Sequence, residues 1–300
     1  MRTGPSRRGR LLVSGLCVVA AITGLAYVRP ALMTHGDTQW TEVWSDHFAG
    51  AAGSGVDTRH WTYQTGEGLF GNGEVETMTT SRNNVHLDGH GHLDISALQQ
   101  GAAWTSGRIK TKNAFTPPAG GELKVTASIK QPDPANALGY WPAFWMLGPG
   151  TWPAHGEIDI LEDVNGLSEH SGAFHCGNLP QPNPDGTFGP CHEHTGLSSG
   201  MLPCAGCQTS YQTYSVIIDR RNPADEKILW YLDGREFFSV SENQVGAGPW
   251  NEAVNHGFSI IFDLAIGGSY PNGRCNCLTP TSQTTSGGTM SVHDVAVYER

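Results

Sequence analysis

Hydrophobic and polar positions alternate most plainly in Glu122–Lys130, where Leu123, Val125, Ala127 and Ile129 take one face and Glu122, Lys124, Thr126, Ser128 and Lys130 the other. Strict period-two alternation predicts a half-buried strand. Shorter segments of the same kind lie at His92–Leu98, Arg108–Lys112, Tyr214–Asp219, Ile228–Leu232 and Met290–Tyr298. Turn residues punctuate them at Asp88-Gly89, from Pro118 to Gly121, and at Asp233-Gly234, where a hairpin is expected. No window carries a helical period of useful length. Evenly spaced short strands predict two antiparallel sheets packed as an all-β sandwich.

Composition agrees. Glycine fills 39 of the 300 positions and proline 18, and both penalise helix interiors. The formal charge is −10, and the five arginines within residues 1–30 stand against no acid there, so the remainder is more acidic still. Phosphate backbones demand a basic face, so nucleic acid is excluded as a partner.

Residues 1–10 carry four arginines, and an uncharged apolar run, Leu11 to Val28, follows. This pattern predicts that residues 1–33 are a secretory signal peptide or, left uncleaved, an N-terminal membrane anchor. Either way residues 34–300 form one domain outside the cytoplasm, secreted or held at the membrane only through that segment. No repeat or linker divides the domain, and a monomer is expected. In an exported chain the six cysteines Cys176, Cys191, Cys204, Cys207, Cys275 and Cys277 read as disulfides, with Cys176–Cys191 the first pairing to expect. The competing reading is zinc, from the CxxC at 204–207 and His175-Cys176. All six follow residue 170 and are expected to pin loops rather than the core. The Pro-, Gly-, Cys- and His-rich stretch 178–210 reads as a long, stapled or functional loop.

Candidate chemistry sits in Gly156-Glu157-Ile158-Asp159-Ile160-Leu161-Glu162. On a helix Glu157 and Glu162 would diverge by about 140°. On a regular strand Glu157 and Asp159 share a face and Glu162 points away, unless a β-bulge at 160–161 restores it. Three carboxylates on one face drive their pKa values apart, leaving one ionised and one protonated, the pair that retaining glycosidases use. A solvated acidic edge or a calcium loop is the plainer alternative. Upstream, Trp141 and Trp145 share a strand face, and indoles stack on sugar C–H faces while keeping an N–H free.

With WPAFWML (141–147) followed by GEIDILE (156–162), the chain resembles the laminarinase-like branch of glycoside hydrolase family 16. GNGEVETMT (71–79), SGRI (106–109), Phe174-His175, FDLAIGG (262–268) and DVAVY (294–298) extend the resemblance over about 40–300. It implies a concanavalin-like β-jelly roll with a concave sugar-binding cleft. It further implies Glu157 as nucleophile, Glu162 as acid/base and Asp159 as a carboxylate hydrogen-bonded to the nucleophile. Trp141 and Trp145 become sugar subsites, with Asn72, Glu74, Arg108 and His175 as polar contacts. The expected function is endo-hydrolysis of β-1,3-glucan, with other β-linked polymers, transglycosylation, a non-catalytic glycan-binding module, or a metalloprotein built on 175–207 as alternatives. No cofactor and no catalytic metal are expected.

Several positions depart from the family's pattern. Gly73 and Glu76 stand where Asn and Gln are frequent, Gln212 replaces a His and Asp263 an Asn, all expected near the cleft. A calcium ion is common in the family on the convex face, and the matching positions are His47 and His293. Imidazole is a poor calcium ligand. The alternatives are two surface histidines without metal, calcium held by Asp46 or Asp294, or a transition-metal site with His90.

Overall fold

The computed structural model describes residues 39–68, 71–178 and 182–300. The N-terminal segment 1–33 lies outside them. Among the described residues no helix is long and apolar enough to cross a membrane.

Two eight-stranded sheets form the body. The first runs Arg235–Ser241, Lys227–Leu232, Gln212–Asp219, Glu122–Lys130, Thr289–Glu299, Leu93–Ser96, Val85–Leu87, with Thr41–Asp46 also paired to Thr289–Glu299. The second runs Leu197–Ser198, Glu169–His175, Glu157–Glu162, Tyr140–Leu147, Ser259–Ile266, Arg108–Thr111, Trp61–Tyr63, with Leu202–Pro203 on the edge of Glu169–His175. All of these pairs are antiparallel. Neighbours in space are distant in sequence: Glu122–Lys130 lies between Gln212–Asp219 and Thr289–Glu299. That crossing pattern is a jelly roll, and a small four-stranded sheet flanks it.

Each predicted strand is present, because alternation sends one face inward. Leu123, Val125, Ala127 and Ile129 are buried in a core they share with Phe144, Phe174 and Phe262 of the second sheet. Phe144 and Phe262 stack at 4.8 Å. The hairpin turn at Asp233-Gly234 has both residues at positive φ, 49° and 75°, the conformation a two-residue turn of this hand requires.

Two expectations need correction. Short helices exist at Glu242–Val245, Ala247–Val254 and Ser269–Cys275. The longest spans only eight residues, about two turns, too short for a 3.6-residue period to show in the sequence. Its Trp250, Ala253 and Val254 are nonetheless buried. The cysteines also differ from expectation, since Cys176, Cys191, Cys204 and Cys207 join the buried core rather than only pinning loops. Cys176 is bonded to Cys191, Cys204 to Cys207 and Cys275 to Cys277.

Candidate active site

The site grows from an irregularity between two strands. Along the pair Tyr140–Leu147 and Glu157–Glu162, Leu147 faces Glu157 and Trp145 faces Asp159, but Phe144 faces Leu161 and Ala143 faces Glu162. One residue of the second strand is extra. On its other edge Asp159 faces Ala173 while Glu162 faces Ser171, so the bulge falls at 160–161. Ile160 and Leu161 are both buried completely, 0% exposed. Two successive apolar residues can do this only if the alternation slips by one. The slip returns Glu162 to the face that carries Glu157 and Asp159.

These three line a cleft of about 1080 Å³ on the outer face of the second sheet. Asn72, Glu74, Arg108, Trp141, Trp145 and His175 line it too, so every residue expected from the sequence to be catalytic or to touch a sugar borders one space. Trp152, His194, Asp263, Tyr270 and Arg274 complete the wall and were not singled out as contacts. Other departures lie elsewhere. Glu76 is 3% exposed, its carboxylate accepting from the Ile266 backbone N–H at 2.8 Å, so it faces the interior and not a sugar. Gln212 opens a strand of the first sheet and is absent from the cleft lining.

The indole N–H groups are not free, as the sugar-stacking reading had them. Trp141 Nε1 donates to Glu162 Oε1 at 2.9 Å, and Trp145 Nε1 to Asp263 Oδ1 at 2.7 Å. A buried N–H needs an acceptor, and here protein carboxylates supply it. The Arg108 guanidinium lies 4.6 Å from the Trp145 ring centre, with its Nε bonded to Gln64 Oε1 at 2.7 Å. Tyr270 meets Trp141 edge-on at 5.6 Å. Both indoles are thereby fixed in orientation. Asn72 donates through its backbone and side-chain nitrogens to Glu74, at 3.1 and 3.2 Å.

Below the carboxylates sits His175, only 9% exposed. Its Nε2 lies 3.2 Å from Asp159 Oδ2 and 3.9 Å from Glu157 Oε1. Its Nδ1 lies 2.6 Å from Glu193 Oε2. His175 is therefore committed to protein carboxylates through both nitrogens. Glu193 escaped the sequence reading, since a lone Glu two residues after a cysteine carries no periodic signal.

Burial pushes the carboxyls of Glu157 and Glu162 well above the usual range, and the nearby Asp159 adds to it. Glu157 faces two cations, His175 and Arg108, that oppose the rise, whereas Glu162 is held back mainly by its Trp141 hydrogen bond and His175. Burial works against charge on His175, but hydrogen bonds to Asp159 and Glu193 outweigh it and hold its pKa well above 6.5. Burial likewise raises Asp263, against the opposing Arg108 charge.

Among the described residues, the group of three donors within 4.8 Å of one another is Glu157, Asp159 and His175. Within that group the His175 ring turns Nε2 to Asp159 at 3.2 Å while Nδ1 turns away to Glu193, so each ring nitrogen already faces a protein carboxylate. His47, His90 and His293 form no such group among those residues. His293 Nδ1 pairs with Asp294 Oδ1 at 2.9 Å, and Asp46 accepts from the Phe48 N–H and Trp61 Nε1, each at 2.8 Å.

Comparison with known proteins agrees with this fold. A family model described as "XgeA-like, catalytic GH16 domain" matches residues 73–213. An endo-1,3-beta-glucanase from Streptomyces sioyaensis is similar in structure at a TM-score of 0.80 and 40% identity, covering 87% of this chain and 97% of that one. An endo-beta-1,3-glucanase from Pyrococcus furiosus is similar at a TM-score of 0.67 and 30% identity, covering 86% and 94%. Glucan endo-1,3-beta-glucosidase A1 of Niallia circulans is 31% identical over 86% of this chain, which spans only 37% of that protein's length.

Proposed function

Because the chain belongs to glycoside hydrolase family 16, we propose that it is an endo-glycosidase cleaving β-1,3-glucan with retention of anomeric configuration. The observation that carries this reading is the bulge, which returns Glu162 to the face of Glu157 in a cleft that Trp141 and Trp145 also line. Glu157, ionised, attacks the anomeric carbon as Glu162 gives its proton to the departing glycosidic oxygen. The C–O bond breaks and a covalent glycosyl-enzyme forms. Glu162, now a carboxylate, takes a proton from water, whose oxygen displaces Glu157 and restores both groups. Asp159, 3.2 Å from His175, stands beside the acid, and a carboxylate there favours the protonated form of Glu162.

Trp141 and Trp145 offer stacking surfaces to successive sugar rings, and Asn72, Glu74 and Arg108 offer polar contacts at the same wall. Residues 1–33 act in this reading as an export signal or an anchor, and the three disulfides fit an oxidising compartment. Reducing-sugar release should be measured on laminarin, lichenan, curdlan, agarose and galactan. Laminarin is expected to be cleaved fastest, with oligosaccharides as early products. Preference for agarose or galactan, or no release from any polymer, would overturn the proposal.

A further inference from the structure

We propose that Glu193 is a positioning residue for this reaction, holding His175 as a doubly donating imidazolium that fixes Asp159 between the two reacting glutamates. The inference rests on the glycosidase reading above and goes beyond it, because Glu193 comes from a loop outside the catalytic strand pair.

The geometry carries the argument. A neutral imidazole has one N–H and one lone pair. Here both ring nitrogens face carboxylate oxygens, Nδ1 at 2.6 Å from Glu193 and Nε2 at 3.2 Å from Asp159. Either neutral tautomer would turn a lone pair toward one of those oxygens. Only the protonated ring donates to both.

Glu193 is built to stay where it is. It is 1% exposed, and its other oxygen accepts the Cys176 backbone N–H at 3.0 Å. Its main chain pairs with Phe188 in both directions, at 2.9 and 2.7 Å. The Cys176–Cys191 disulfide joins the residue after His175 to a point two residues before Glu193. Gly196 leaves the space the ring occupies, since a Cβ there would lie 3.0 Å from His175 Cε1 and Nε2. Trp152 covers it from the cleft side, at 5.7 Å between ring centres.

The charged groups facing His175 are Asp159 and Glu157 from the neighbouring strand and Glu193 from the loop. Glu162, from the same strand as Asp159, also feels the charge of the ring, and the Arg108 charge acts on Glu157. With Glu193 neutralised, one fewer anion opposes loss of the ring proton. The neutral ring then no longer donates to both partners, and Asp159 loses its fixed orientation.

The test is NMR of the intact protein labelled with nitrogen-15 in histidine, with the His175 signals identified by their loss in His175→Gln. Wild type should show both His175 nitrogens protonated at pH 7.5, above the ordinary histidine value of about 6.5. A neutral ring at that pH overturns the proposal, whatever the protein hydrolyses. In Glu193→Gln the titration should fall toward the ordinary range, and an unmoved titration also overturns it. On laminarin the variant should lose kcat, by up to about 100-fold, at nearly unchanged KM, with its alkaline limb moved acidward. A wild type inert on every polymer defeats the glycosidase reading, an outcome distinct from either NMR failure.

Discussion

The indole Nε1 of Trp230, on the first sheet, donates at 2.7 Å to the main-chain carbonyl of Asp159 on the second. A bulge leaves ladder groups without strand partners, and this bond satisfies one of them from across the core. Gly172 makes room for it, since a Cβ there would lie 2.6 Å from Trp230 Cδ1. Trp230→Phe keeps the ring and removes the donor. The stranded carbonyl should cost about 1–3 kcal/mol in urea unfolding, with kcat falling as the bulge relaxes. Unchanged stability and rate would show that the bulge needs no support from the opposite sheet.

Replacing the two glutamates should separate their roles. Glu157→Ser is expected to abolish turnover on every substrate. Glu162→Ala should lose about 10²–10⁴-fold on polymer, yet still form the glycosyl-enzyme from an activated aryl glycoside and be rescued by azide. Proton NMR of the first product should show the β-anomer. An early α-anomer would mean that Glu157 is not the nucleophile.

Stability should peak in mild acid. Burial raises the carboxyls of Glu76 and Asp163 to about 7 and those of Glu157 and Glu162 to about 8. Each holds its proton more tightly folded than unfolded, so stability falls as pH rises above roughly 4 through this window. His175 adds stability that is full below about 6.5 and lost as pH climbs through its raised pKa. Asp88 and Asp219 work oppositely: burial is outweighed by hydrogen bonds, from His90 and His92 and from Arg221, and their contribution is lost in strong acid. Melting temperature is therefore expected to be highest near about pH 5. A maximum at pH 8 would contradict the burial of these acids.

The three disulfides should contribute unequally. Cys176–Cys191 closes 15 residues, whereas the others close 3 and 2. Loop-closure entropy assigns the first about 3 kcal/mol and the short ones less. Unreduced mass spectrometry should find no free thiol among the six. Cys176→Ser with Cys191→Ser should lower stability most in chemical unfolding, and equal losses from all three pairs would argue against the entropic account.

Strands were legible in the chain because Leu123 to Ile129 and their counterparts repeat a simple period. The bulge was legible for a different reason: Glu157, Asp159 and Glu162 cannot share a face without it. Asp263 and Glu193 were not legible as partners of Trp145 and His175. They lie 118 and 18 residues from those partners, and their places depend on sheet order and loop path rather than on local pattern. Trp250 went unseen as a helix anchor because eight residues hold too few repeats, although its Nε1 reaches the buried Glu226 at 2.9 Å.

Thr41 faces Glu299 across the antiparallel pair formed by the first and last strands of the body. Both ends of the domain thus emerge side by side from the sheet that does not carry the cleft. A chain so arranged can be spliced into a longer polypeptide as an insert, or have its ends joined and be reopened at an exposed turn such as Asp233-Gly234, with the polymer track left clear.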